Sequence, residues 1–382
     1  MEAYRPVPGD EFRIVPGDIR GSVETLKEGR MFVNFLPGGE IPGNDTGGLG
    51  YFFADTRFLS CLELALNDTR PVLLSRTLRD SHFAQVELSN REFVSGGQVV
   101  PLQTVHLRLQ RLVKDGFYQR VRLVNFNPFA VQLELRFRLG ADFADIFEVR
   151  GTRRQSRGMR RETVIRRQEA VFRYLGRDGS DRATRVCFNP APAEISEEGA
   201  FVCASYSLRL APRKKYYVYL RVVPVIDGEC GEGSAEPGDL GFAEAAQFLI
   251  DAYQGWKDDC VRVFSDNEHF DFMLRTAVTD LRALLTEYPG AGRILDAGIP
   301  WFAAPFGRDA LITAWQILLV NPAVARETLR FMARFQGREF NDWRDEQPGK
   351  IMHELRFGGR DAVVCYSAGG VYPRDGGLGL FL

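Results

Sequence analysis

Tyr118-Gln119-Arg120-Val121-Arg122-Leu123-Val124, then Asn125-Phe126-Asn127-Pro128-Phe129, then Val131-Gln132-Leu133-Glu134-Leu135-Arg136-Phe137-Arg138-Leu139 is the stretch that decides the fold. In the last run Val131, Leu133, Leu135, Phe137 and Leu139 alternate with polar residues, which lines one face of an extended strand with apolar side chains. The Asn-Phe-Asn-Pro segment favours a turn, because Asn bonds its own backbone and Pro fixes φ. The spacing predicts a β-hairpin. The same period of two runs from about residue 12 to 225, as in Val105, Leu107 and Leu109 and in parts of Lys215 to Val222. Many such strands, separated by Gly, Pro, Asn and Asp clusters, imply antiparallel sheets packed as a large sandwich.

The Gly/Glu/Pro-rich stretch Asp227 to Asp239 ends that pattern and reads as a linker. Beyond it the period becomes helical. Gly241 to Val263 carries apolar residues at helical spacing, and Ser265-Asp266-Asn267-Glu268 has the Ser-x-x-Glu spacing of a capping box. The box predicts a helix with Phe270, Met273, Leu274, Ala277, Leu281 and Leu284 on one side. Ala310 to Val320 and Pro322 to Phe335 read as two more helices, restarted by Asn321-Pro322. No strand pattern is read between these helices, which argues against a TIM barrel or a Rossmann arrangement. The expected organisation is a sandwich domain over residues 1–226, a linker over 227–240 and a helical region over 241–382.

The bulk composition narrows the function classes. The 382 residues are 45% hydrophobic and 26% charged, which describes a globular chain long enough for two cores. A net charge of −1 provides no global field for nucleic acid or an anionic membrane. No segment approaches the ~20 apolar residues of a membrane span, and the N-terminus has no apolar signal core. The six cysteines include no CxxC, and four histidines leave little material for a triad. The expectation is a cytoplasmic protein without metal or cofactor. Eight arginines between Arg150 and Arg167 raise a nucleic-acid reading, but aromatic interleaving is absent and the stretch reads as a solvated hairpin loop. Gly47-Gly48-Leu49-Gly50 lacks the Lys-Ser/Thr ending of a phosphate loop.

The chemistry-bearing stretch is Ala297-Gly298-Ile299-Pro300-Trp301-Phe302-Ala303-Ala304-Pro305-Phe306-Gly307-Arg308-Asp309-Ala310-Leu311. Two aromatics and an Arg-Asp pair suit the rim of a pocket for a hydroxyl-rich ligand: rings stack on sugar C–H faces while Arg and Asp bond hydroxyls. Trp301 and Phe302 suit pocket wall and ordinary core equally. Asp309 could cap the following helix; the accompanying Arg308 and aromatic run favour a grip on ligand. Asp55 and Arg57 read as a structural ion pair within a turn, and Asp142, Asp145, Glu148 and Arg150 as a brace between sandwich and helices.

Gly298 to Phe302 with Phe306 to Ile312, Lys350-Ile351-Met352-His353-Glu354-Leu355-Arg356, Phe53 to Ser60, and Ala141 to Gly151 together resemble, in order, motifs of the amylo-α-1,6-glucosidase (glycogen debranching enzyme) type of bacteria and archaea. The resemblance implies an N-terminal antiparallel β-sandwich followed by an (α/α)6 barrel, inverting hydrolysis of α-glucosidic linkages, and an oligo- or polysaccharide as substrate. It also implies substrate contacts from Trp301, Phe302, Arg308, Asp309, His353 and Glu354, with Glu354 rather than His353 turned to the ligand. Inverting enzymes need an acid and a base about 6.5–9.5 Å apart, and the family takes these from loops deeper in the barrel. The sequence after Phe357 departs from the family pattern and ends in Gly376-Gly377-Leu378-Gly379-Leu380-Phe381-Leu382. The expectation is therefore a fragment with an incomplete barrel, its reading frame shifted near residue 358, lacking both catalytic carboxylates. The alternatives are an inactive carbohydrate-binding fragment and a polyanion-binding interaction protein.

Overall fold

The computed structural model describes residues 22–43, 47–79, 81–152, 154, 156–230, 239–356 and 363–366. Its N-terminal part is antiparallel sheet. One nine-stranded sheet runs in the order Met159–Arg166, Glu169–Leu175, Asp181–Asn189, Lys215–Ile226, Phe117–Asn125, Val105–Val113, Phe83–Ser89 and Val72–Arg79, with Glu229–Cys230 added beside Lys215–Ile226. A four-stranded sheet runs Glu194–Glu198, Phe201–Leu210, Val131–Gly140 and Cys61–Leu66. Leu107, Leu109, Val121 and Leu123 of the first sheet share one core with Leu133, Leu135, Phe137 and Val202 of the second. A further meander, Glu24–Glu28, Met31–Phe35, Gly50–Phe53 and Thr56–Leu59, adds Leu26, Phe35, Tyr51 and Phe58 to that core.

The expected hairpin is not one. Phe117–Asn125 pairs with Val105–Val113 and Lys215–Ile226, whereas Val131–Gly140 pairs with Phe201–Leu210 and Cys61–Leu66 in the other sheet. Asn125 makes the crossing: its Nδ2 donates to the carbonyls of Phe129 (2.8 Å) and Leu210 (2.9 Å), and its Oδ1 accepts from the Asn127 backbone N–H at 2.9 Å. Turn chemistry was read rightly, but a turn that bonds a third strand lets the two runs face each other across the core. Alternation alone does not distinguish the two outcomes.

The helical part contains α1 (Ile146–Arg150), α2 (Phe242–Asp259), α3 (Glu268–Leu284), α4 (Gly307–Gln316) and α5 (Pro322–Arg334), the first lying within the sandwich sequence. Phe242, Ala245 and Leu249 seat α2 on Leu112 and Tyr118 of the nine-stranded sheet. α3 is capped by Asn267, which accepts from the Phe270 N–H, while Ser265 bonds Asp271 instead. The cap thus falls two residues later than the expected Ser265, since Asn serves as well as Ser. Strands do return between the helices: Leu285–Tyr288 pairs with Gly292–Leu295 around Pro289-Gly290. Four-residue strands are too short to show a period. Residues 231–238 of the expected linker lie outside the described residues, and Glu229–Cys230 continues the sheet.

Val363–Cys365 pairs with Glu354–Arg356, and Cys365 and Tyr366 are buried, so this segment is integrated beyond the expected break near residue 358. The arginine-rich stretch is not a loop throughout, because Met159–Arg166 is a strand. Arg154, Arg157 and Arg166 lie 2.6, 3.0 and 2.8 Å from carboxylate oxygens of Asp145, Glu148 and Glu169. Part of its charge is thus paired with this chain's own acids. Among the described residues no helix is long and apolar enough to cross a membrane, and no cluster of His, Cys, Asp and Glu could hold a metal ion.

Candidate functional site

The rim stretch begins as a tight loop. Gly298 and Phe302 exchange two backbone hydrogen bonds at 2.8 and 2.9 Å, and Ala297 N–H reaches the Ala304 carbonyl at 3.2 Å. Trp301 turns inward and lies over Gly48, where an added Cβ would come within 3.1 Å of the indole and where φ is +83°. Glycine is required there on both counts. Trp301 thereby joins a cluster with Phe32, Phe52 and Phe147. Phe302 instead stays 37% exposed, edge-on to Phe306 with Arg150 above its ring. The two rings thus divide between core and rim.

α4 opens at Gly307 with Phe306 at its N-cap, so Asp309 is not the cap. Arg308 and Asp309 stand exposed in its first turn, where the helix N-terminus favours the carboxylate. Neither has a hydrogen bond or ion pair among the described residues. The Gly307 N–H donates to the His353 carbonyl at 2.8 Å, and the Leu355 N–H to the Pro305 carbonyl at 3.0 Å. These bonds stitch the two motifs together, although some fifty residues of sequence separate them. A Cβ on Gly307 would sit 2.0 Å from the Met352 carbonyl oxygen, so the helix can start there only on glycine.

His353 and Glu354 do face opposite ways, but in the reverse of the expected sense. His353 is half-buried, its ring edge-on to Phe306 at 5.7 Å. Glu354 is buried and bonded to the Arg356 guanidinium. Strand geometry at Glu354–Arg356 places Glu354 and Arg356 on the same side, which brings them together and turns Glu354 away from solvent.

Arg356 is the residue that the sequence reading left out, and it organises the site. It is buried and bonds Glu354 through Nε, Asp55 Oδ1 through Nη1 at 2.7 Å and the Trp301 carbonyl through Nη2 at 2.9 Å. The rings of Phe147 and Phe306 flank it at 5.4 and 5.5 Å. All the separated motifs therefore meet at one guanidinium. Asp55 does not pair with Arg57, contrary to expectation; Arg57 bonds Asp142 instead, with Nη2 2.5 Å from Oδ2. Two residues apart in a turn, the side chains of Asp55 and Arg57 diverge to separate partners. Burial pushes the Asp55 carboxyl up from its ordinary value, and the Arg356 charge opposes the shift. Burial also lowers the Arg150 guanidinium, with Arg356 adding repulsion. A second buried pair, Lys27 and Asp296 at 3.0 Å, ties Glu24–Glu28 to the Leu285–Tyr288 hairpin, and Tyr288 donates to Asp296 at 2.7 Å. Nothing local announced either tie, since Asp55 and Arg356 lie 301 positions apart.

Chemically, the open part of the site offers an aromatic face, a guanidinium, a carboxylate and an imidazole. Asp55 and Glu354 share one guanidinium, which holds both carboxylates to itself rather than on either side of a water, as an acid and base would need.

Several solved structures align with this chain. A kojibiose phosphorylase assignment from human microbiome aligns with a TM-score of 0.55 and 12% identity over 81% of this chain and 46% of that one. The chain thus spans less than half the length of that structure. Slr1438 protein from Synechocystis sp. PCC 6803 aligns at 0.36 with 8% identity over 55% of this chain and 97% of that one. A galactose mutarotase related enzyme from Lactobacillus acidophilus aligns at 0.30 with 8% identity over 53% and 97%. No curated protein sequence matches. The family model described as the N-terminal domain of (some) glycogen debranching enzymes matches residues 26–221, over half of the chain. On that match, this chain belongs to the family of glycogen debranching enzyme N-terminal domains.

Proposed function

We propose that the chain serves carbohydrate metabolism as the sandwich and first helical hairpins of an inverting glycoside hydrolase of amylo-α-1,6-glucosidase type. The observation that carries this reading is the convergence on Arg356, which fixes a rim presenting Phe302, Arg308, Asp309 and His353 to solvent. Arg308 and Asp309 grip adjacent hydroxyls of a terminal sugar, Phe302 stacks on its C–H face, and Trp301, Glu354 and Arg356 hold the wall from behind. The substrate is an oligo- or polysaccharide of α-glucan or related type.

The reading of residues 241–382 as part of an (α/α)6 barrel draws support from the helix surfaces. Phe272 on α3 is 60% exposed and Trp315 on α4 is 74% exposed, which suits faces made for further helices. Because the two buried carboxylates of the site are held by Arg356, a second reading is favoured by the same geometry: the chain binds sugar without turning it over.

The test is titration of the purified chain with panose, together with assay for glucose release. Binding that Arg308→Gln weakens by about tenfold or more is expected from loss of a charge-assisted bond. Equal binding by Arg308→Gln and Asp309→Asn would remove the rim from the site. Glucose release would select the hydrolase over the binding reading.

A further inference from the structure

The outer face of the nine-stranded sheet carries a second group of polar and aromatic side chains, away from the rim. Leu107, Leu109, Val121, Leu123 and Val218 point into the core, so the alternate residues His106, Arg108, Arg122 and Tyr217 point outward. The register sets Glu87, Arg108, Arg122 and Tyr217 side by side on four neighbouring strands. Arg108 and Arg122 are therefore directly opposed, an arrangement of like charges that is normally destabilising.

The acid in this row neutralises Arg108 and leaves Arg122 unpaired. Glu87 Oε1 accepts from Arg108 Nε at 2.7 Å, and its Oε2 lies 2.8 Å from His106 Nε2. Arg122 has no acidic partner among the described residues, and its Nε is shielded from solvent without an acceptor. Arg120, in the next row, bonds only the neutral Gln110. A local excess of positive charge thus persists on a chain whose net charge is −1.

Aromatic side chains flank the unpaired guanidinium. Tyr217 is 36% exposed and stacks with Tyr219 at 6.4 Å and 17°. At the near end Phe126 is 60% exposed and lies edge-on to His106. At the far end Phe242 of α2 closes the face over Tyr219 and Arg120. Sheet strands hold Arg108, Arg122, Tyr217 and Tyr219, so a ligand meets a preformed surface.

We propose that this face is a second saccharide site, one that takes a sugar bearing an anionic group. The anion binds Arg122, the charge of the row that Glu87 leaves unpaired, the ring stacks on Tyr217, and the Gln85–Gln110 amide row meets the hydroxyls.

The experiment is titration of the whole chain with glucose 6-phosphate, glucuronate, maltotriose and inorganic phosphate. Binding of one or both anionic sugars is expected, weakened by salt, with the better of the two telling phosphate from carboxylate. Arg122→Gln should weaken it by about tenfold or more, with an unchanged or raised melting temperature and unchanged panose affinity at the rim. Tyr217→Leu, which leaves every charge in place, should also weaken it. Maltotriose binding that Arg122→Gln weakens as much as it weakens the anionic sugars, inorganic phosphate binding as tightly as glucose 6-phosphate, or no effect of either substitution would each overturn the proposal.

Discussion

Along Val105–Val113, Phe117–Asn125 and Val131–Gly140 every core-facing aliphatic or aromatic residue is sealed, whereas α3 and α4 leave Phe270, Phe272, Met273, Ile312 and Trp315 facing solvent. The contrast separates a sandwich that completes its own core from helices that do not. Beside the apolar seats of α2 and Trp301, two buried ion pairs, Asp55–Arg356 and Lys27–Asp296, join the helical region to the sandwich. Ion pairs are poor substitutes for a core, because desolvation consumes most of their attraction. They are good at fixing position, and the position they fix here is the rim.

The largest expected effect comes from cutting that tie. Arg356→Gln leaves two buried carboxylates without their cation and is expected to cost about 3–5 kcal/mol. Denaturant melts would measure it, and hydrogen exchange should show the 297–312 and 350–356 backbone opening before the sandwich. Loss of protection spread evenly over both regions would erase the contrast. Leu135→Ala, in the middle of the sealed core, is expected to cost about 2–5 kcal/mol and to loosen the sandwich itself. If it opened only the helical region, the sandwich would not be the self-sufficient half.

Asp55 provides a pH handle on the same tie. Its folded pKa lies above the ordinary 3.8, with burial as the main cause. Ionising it therefore costs folded-state stability: the cost is absent below the unfolded pKa, grows as pH rises to the folded pKa, and is constant above. Relative to Asp55→Asn, the wild-type chain should gain melting temperature as the pH falls toward that ordinary value. Parallel profiles for the two proteins would mean that Asp55 is not desolvated. The smallest expected stability change is from Phe272→Ser and Trp315→Ser, within about 0.5 kcal/mol. Their effect should show instead as reduced self-association in sedimentation, since the side chains replaced are exposed.

These contrasts also show what the sequence could reveal. Alternation in Val131–Leu139 exposed the strand and its buried face, and the change of period after Asp227 located α2, α4 and α5. It could not show which sheet a strand joins, because that depended on Asn125 bonding Leu210, 85 positions away. The short strand pair at Leu285–Tyr288 and Gly292–Leu295 escaped because four residues do not establish a period. Phe302, Arg308 and Asp309, which the sequence groups as a mixed aromatic and charged stretch, stand exposed together. Arg356 does not stand out within its motif, since its importance lies in partners at Asp55 and Trp301 rather than in its neighbours. Glu354 was misjudged for the same reason.

The sandwich holds the proposed sugar rim through Asp55, which bonds Arg356 behind it. Panose affinity of Asp55→Asn, measured where both proteins are fully folded, tests it most directly. A displaced Trp301–Arg308 rim should weaken binding by about tenfold to a hundredfold. Wild-type affinity in Asp55→Asn would contradict the claim and leave the Asp55–Arg356 pair a matter of stability alone.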